Sequence, residues 1–152
     1  MTIAAVALGS NLGDRSAHLD YAISRLRSHL ANVRVSRYYE TDPSGVPGPQ
    51  PLFLNAAVVG STDASARDLL DVLLEIEAER GRERPHPGAA RTLDLDLVLY
   101  GNRVFDEPGL IVPHPRFRER RFVLEPLAEI APELVDPVTG LTAGELLARC
   151  SP

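Results

Sequence analysis

The chain has 152 residues, 44% of them hydrophobic and 24% charged, and its 16 basic and 21 acidic side chains leave a formal net charge of −5. That length and balance suit one globular, soluble domain over residues 1–152 and exclude disorder; no apolar run approaches the roughly 18 residues of a membrane span. All 16 basic residues are arginine, which excludes Schiff-base chemistry and a Walker A lysine, and the acidic balance argues against generic nucleic-acid or anionic-membrane binding.

Residues 2–9 read as a buried first strand rather than a signal peptide, because no basic lead precedes them. Asp14 is the expected N-cap of a helix whose Leu19, Ala22, Ile23, Leu26 and Leu30 recur at helical spacing. Val33, Val35 and Tyr39 fall on alternate positions of a single second strand ending near Thr41. Residues 42–51 hold four of the 13 prolines and are expected as a long loop of the kind that carries function. A third strand is expected over 53–60, then a helix capped by Ser65 with Leu69, Leu73, Ile76 and Glu77 along it and Gly81 beyond its end.

A second loop, 82–91, leads into the clearest strand, 93–100, and Gly101-Asn102 turns toward a shorter strand around Val104. The order β-α-β-β-α-β predicts an α+β fold: a ferredoxin-like antiparallel sheet with two helices packed on one face. A C-terminal extension follows, with a Pro-bounded segment at 110–112, an arginine-rich stretch and a last helix from about Thr142. The single cysteine, Cys150, excludes an intrachain disulfide and fits a reducing compartment such as the cytoplasm.

In Leu93-Asp94-Leu95-Asp96-Leu97-Val98-Leu99 the strand period puts four leucines on one face and two aspartates on the other. Carboxylates roughly 7 Å apart at i, i+2 suit a hard divalent cation that keeps waters and takes further ligands from phosphates. Alone, the pair reads first as the solvated face of a half-buried strand, although aspartate is depleted in strands. Arg80, Arg82, Arg84 and Arg91 precede this strand and Arg116, Arg118, Arg120 and Arg121 follow it. Guanidinium groups bind phosphate oxygens bidentately, so Arg82 and Arg91, flanking the entering loop, point to a nucleotide polyphosphate with Mg²⁺; Arg80 and Arg121 read as solvated. His114, between Pro113 and Pro115, would join such a site, while Gly9-Ser10-Asn11-Leu12-Gly13 reads as a plain turn between strand and helix.

Taken together, Gly9-Ser10-Asn11-Leu12-Gly13-Asp14-Arg15, Tyr39-Glu40-Thr41-Asp42-Pro43, Phe53-Leu54-Asn55-Ala56, Arg91-Thr92-Leu93-Asp94-Leu95-Asp96, Val112-Pro113-His114 and Arg120-Arg121-Phe122 resemble the 6-hydroxymethyl-7,8-dihydropterin pyrophosphokinase family of folate biosynthesis. The resemblance runs from about residue 3 to 135. It implies transfer of the β,γ-diphosphate of ATP to the pterin hydroxymethyl group, with AMP released and two Mg²⁺ held by Asp94 and Asp96. It further implies Arg82 and Arg91 as catalytic phosphate ligands, and Glu77, Arg84, His114 and Arg120 on the ATP side. Phe53 and Phe122 would stack on the pterin, Asn55 would bond its polar edge, and Thr41, Pro43 and Ser44 would complete the pocket. The partners implied are small molecules alone, acted on by a monomer, with no nucleic acid and no membrane.

The chain departs from that family at Pro87-Gly88-Ala89-Ala90-Arg91, where Arg-Trp-Gly-Pro-Arg is usual, and at Gly109, where some members carry an arginine. Residues 82–90 are nonetheless expected to act as a lid that closes over bound substrates. A ferredoxin-like RNA-binding module and a two-metal phosphodiesterase are the alternative readings; the first lacks a basic balance, and the second would want more ligands than Glu77 and His114 supply.

Overall fold

The computed structural model describes residues 1–42, 51–81 and 92–151. The expected loops therefore lie largely outside the described residues, and with them Pro43, Ser44, Arg82, Arg84, Arg91 and the lid. Four strands, β1 (Thr2–Ser10), β2 (Ala31–Val35), β4 (Phe53–Thr62) and β5 (Asp94–Tyr100), form an antiparallel sheet in the order β2-β4-β1-β5, and β3 (Tyr39–Thr41) pairs with β4 beyond β2. No helix among the described residues is long and apolar enough to cross a membrane.

The expected second strand is interrupted. β2 aligns Val35 with Val58 whereas β3 aligns Tyr39 with Asn55, so one extra residue is inserted on the edge. Ser36 fills the break: its N–H donates to the Ala57 carbonyl at 3.0 Å, and its hydroxyl accepts the Ala57 N–H at 2.8 Å.

Helices α1 (Arg15–Arg27) and α2 (Ala66–Glu79) cover one face of the sheet. Both start where a side-chain acceptor was expected: Asp14 takes the Ala17 N–H and Ser65 takes the Asp68 N–H, each at 3.1 Å. Leu19, Leu26, Leu69, Leu73 and Ile76 meet Val6, Leu8, Val58, Leu95 and Leu97 in a core that excludes water.

The opposite face is covered as well, by α3 (Arg121–Ile130) and α4 (Ala143–Arg149), with Leu124, Leu127 and Leu146 against Ala5, Val59 and Leu99. α4 starts at Thr142 as expected, in a reciprocal cap with Glu145. Neither α3 nor the 3₁₀ turn Phe117–Glu119 before it was expected, since Pro126 stands inside the helix and removes one backbone donor.

Two further expectations are corrected. The register between β1 and β5 shifts between Val6↔Leu97 and Ala5↔Leu99, and this bulge turns Val98 and Leu99 to the α3 side while Leu93, Leu95 and Leu97 face α1 and α2. The four leucines therefore do not share a face. The short strand near Val104 is β6 (Phe105–Glu107), which pairs with β7 (Leu110–Val112) in a separate hairpin instead of adding to the sheet.

Candidate active site

At one end of the α3 face the sheet is uncovered. β1 pairs with both β4 and β5, and β4 with β3, so Tyr39, Asn55, Gly9 and Asp94 form one cross-strand row. Ala7 and Asp96 are paired in the adjoining row of β1 and β5, and Thr41 is paired with Phe53 at the other edge. Small side chains on β1 leave a floor, and the longer ones stand around it. The predicted residues Thr41, Phe53, Asn55, Asp94, Asp96, Arg120 and Phe122 all line a single open cleft of about 560 Å³ above that floor.

The second wall comes from α3. Arg120 immediately precedes the helix and Phe122 lies in its first turn, with the Arg120 guanidinium carbon 5.6 Å from the Phe122 ring centroid. Arg120 and Arg121, at the N-terminal end of α3, both line the cleft and bring positive charge to it. Asp94 and Asp96 present negative charge from the sheet. Two oxygen donors on one face are a partial coordination set that fits Mg²⁺, which keeps waters and completes its shell with phosphate oxygens.

On β4, Asn55 is buried and its Nδ2 donates to Thr41 Oγ1 at 2.5 Å. Its Oδ1 lies over Gly9: a methyl group built on Gly9 would sit 3.2 Å from that oxygen and 3.7 Å from a Phe53 ring carbon. Glycine is what lets the acceptor and the aromatic wall approach the floor.

Glu77 and His114 do not line the cleft. The Glu77 carboxylate is buried under β5 and accepts the Leu95 N–H at 2.7 Å, between the two aspartates in sequence. His114 donates its backbone N–H to Val98 O at 3.1 Å, and its Nδ1 accepts the Arg116 N–H at 3.3 Å, which leaves the Nε2 proton as the donor of a neutral ring. Burial lowers the His114 pKa, Arg120 and Arg116 lower it further, and Asp94 opposes them.

The arginine cluster separates into different roles. Arg116, Arg120 and Arg121 line the cleft, and Arg121 also pairs with Glu125 at 3.4 Å. Arg118 turns away and grips the buried Asp136 through Nε and Nη2 at 2.5 and 2.9 Å. Burial pushes the Asp136 pKa up, but hydrogen bonds from Arg118, Thr139 and the Val138 N–H outweigh it and hold the carboxyl below its usual value. Arg80, expected to be solvated, stacks on Tyr21 at 4.7 Å and donates to His18 Nδ1 at 3.0 Å.

Sequence reading missed Tyr39, Gly9 and Arg116 as cleft residues. Tyr39 had a usable signal, because it lies two positions before Thr41 on an alternating strand and therefore shares its face.

A family model described as 7,8-dihydro-6-hydroxymethylpterin-pyrophosphokinase (HPPK) matches residues 5–132. The 2-amino-4-hydroxy-6-hydroxymethyldihydropteridine pyrophosphokinase of Bacillus subtilis is 45% identical over 139 residues, covering 90% of this chain and 83% of that protein. Its namesake from Pseudomonas aeruginosa is 43% identical over 147 residues, covering 95% and 90%. The fold is also that of a wild-type Plasmodium falciparum HPPK-DHPS crystal structure, with a TM-score of 0.76 at 15% identity over 97% of this chain. The chain spans only 44% of that longer solved chain. With a match across most of its length and relatives above 40% identity, the chain belongs to the 7,8-dihydro-6-hydroxymethylpterin pyrophosphokinase family.

Proposed function

We propose that this protein transfers the β,γ-diphosphate of ATP to the hydroxymethyl group of 6-hydroxymethyl-7,8-dihydropterin, releasing AMP, in folate biosynthesis. The observation that carries the reading is the single cleft, in which an aromatic and amide end adjoins a carboxylate and arginine end. Phe53 and Phe122 suit a flat heterocycle. Asn55, oriented by Thr41, offers its Oδ1 to a ring or amino N–H, and Pro43 and Ser44 would bind the pterin as well. Strand spacing separates Asn55 from Asp94 by roughly 10 Å, leaving room for a pterin whose exocyclic hydroxyl reaches toward the phosphates.

The hydroxyl oxygen attacks the β-phosphorus in line, the bond from that phosphorus to the bridging oxygen breaks, AMP leaves with that oxygen, and the hydroxyl proton is lost. Two Mg²⁺, held by Asp94 and Asp96, would neutralise charge on the phosphate oxygens. Arg82 and Arg91 are the catalytic phosphate ligands, Arg84 and Arg120 bind the nucleotide side, and His114 donates a hydrogen bond to the triphosphate from Nε2. Glu77 belongs to the nucleotide side through β5, whose backbone it holds. The enzyme acts as a monomer, and its free Cys150 suits the cytoplasm.

The test is AMP release from ATP and Mg²⁺ with and without the pterin alcohol. AMP formed one for one with diphosphorylated pterin supports the reading. Pterin-independent phosphate release would favour a phosphodiesterase, and retention of single-stranded RNA on filters without AMP formation would favour an RNA-binding module.

A further inference from the structure

Tyr39 lines the cleft beside Asn55, yet its hydroxyl leaves the sheet and donates to Glu129 Oε1 on α3, 2.6 Å away. The same carboxylate accepts the Arg37 N–H at 3.1 Å and Arg37 Nε at 3.4 Å. Arg37 in turn donates from Nη2 to the Tyr39 hydroxyl at 3.1 Å, and its guanidinium lies over the Tyr39 ring at 5.2 Å. Arg37 sits in the break between β2 and β3, where the inserted residue takes its N–H out of the ladder and Glu129 receives it.

These contacts join the two walls of the cleft. Tyr39 and Thr41 share β3, and Thr41 orients Asn55; Glu129 and Phe122 share α3, two turns apart and therefore on one side of the helix. Glu129 meets Tyr39 at the edge of the sheet, beside the bond from Arg34 Nη1 to the Ile130 carbonyl at 2.7 Å, and both contacts tie α3, with Phe122 on it, to the edge strands. An ordinary exposed ion pair would fix little, but Tyr39 is partly buried in the cleft wall, and its two χ angles cost little entropy to hold.

We propose that Tyr39 and Glu129 are positioning residues that set the width of the slot for the flat heterocycle, by bracing the edge strand that holds Asn55 against the helix that carries Phe122. The proposal rests on the pterin assignment above. Both act through Asn55 and Phe122: the Tyr39 ring lines the cleft, but its hydroxyl is turned to Glu129.

The test uses the full chain and the variants Tyr39→Phe, Glu129→Ala, Glu129→Gln and the double Tyr39→Phe/Glu129→Ala. KM is measured separately for the pterin alcohol and for ATP, with Tm and direct binding of the pterin followed by its own fluorescence. Tyr39→Phe and Glu129→Ala are expected to raise the pterin KM about three- to tenfold, with the double variant no worse than either single change. Glu129→Gln, which keeps an acceptor oxygen, should recover most of the loss, and the ATP KM and Tm should stay near wild type. Unchanged pterin affinity in variants of a wild type that binds pterin would overturn the brace alone, as would equal losses for both substrates with a fallen Tm. Failure of the wild type to bind the pterin alcohol would overturn the pterin assignment and the brace with it.

Discussion

Asn55 and Asp94 stand in one cross-strand row, each paired with Gly9 of the strand between them. The gap left by the missing side chain of Gly9 joins the amide end of the cleft to its carboxylate end. Gly9→Ala would place a methyl group 3.2 Å from Asn55 Oδ1, and Asn55 is already held by Thr41. This variant is expected to raise the pterin KM about tenfold or more while the ATP KM and Tm change little. Steady-state kinetics with each substrate varied in turn checks it; a uniform loss would mean that the floor serves both ligands.

Asp94→Asn and Asp96→Asn are each expected to lower kcat on the order of 10³-fold with the fold intact, because each removes a charge that the transferring phosphates require for neutralisation. Thermal unfolding without Mg²⁺ checks that each variant still folds. Activity retained in both variants would end the assignment of this pair as the metal site.

Glu77 tests whether a carboxylate that supports β5 also matters for ATP. Glu77→Gln keeps an acceptor for the Leu95 N–H and should retain Tm, whereas Glu77→Ala leaves that buried donor unpaired and should cost about 1–3 kcal/mol in urea unfolding. Turnover should follow stability if Glu77 acts through β5. A loss of ATP affinity in Glu77→Gln at native Tm would reveal direct contact with the nucleotide.

The arginines divide by partner. Arg118→Ala strips the buried Asp136 of its counter-ion and is expected to destabilise the fold by about 3–5 kcal/mol. Arg120→Ala, on the cleft, should instead leave unfolding almost unchanged and raise the ATP KM about tenfold. Arg82→Ala and Arg91→Ala should each remove about 2–4 kcal/mol of transition-state stabilisation. Chemical denaturation beside kcat/KM separates these outcomes.

Glu79 ties α1 to α2. Hydrogen bonds from Arg25 and then Tyr21 lower its pKa from 4.5 to about 2. A carboxyl group depressed in the folded state contributes stability that is full above its unfolded pKa and disappears as pH falls through the folded one. Glu79→Gln should therefore be less stable than wild type at pH 7, with the gap closing between about pH 4.5 and 2. Urea midpoints across that range check it, and a gap unchanged at pH 2 would exclude the ion pair as its source.

Local chemistry made much of this protein legible from residues alone. Asp14, Ser65 and Thr142 announce helix starts because a side-chain acceptor beside unpaired N–H groups works within one turn of chain. Asp94 and Asp96 share a face because the strand period is two, and that needs no partner strand. Leu99 could not be placed in this way, since the bulge that turns it exists only in the register of β5 against β1. Likewise α3 stays hidden behind Pro126 until Leu124 and Leu127 find Val59 and Leu99 across the sheet, and their burial outweighs one lost backbone bond. Arg118 and Arg120 are equivalent as neighbours in an arginine-rich stretch. One meets a buried carboxylate and the other an open cleft, and only long-range packing brings Asp136 to the first and the sheet floor to the second. Residue type and spacing thus determined the chemistry on offer, while side-chain direction across strands, set by pairing partners far along the chain, decided which groups meet in the site.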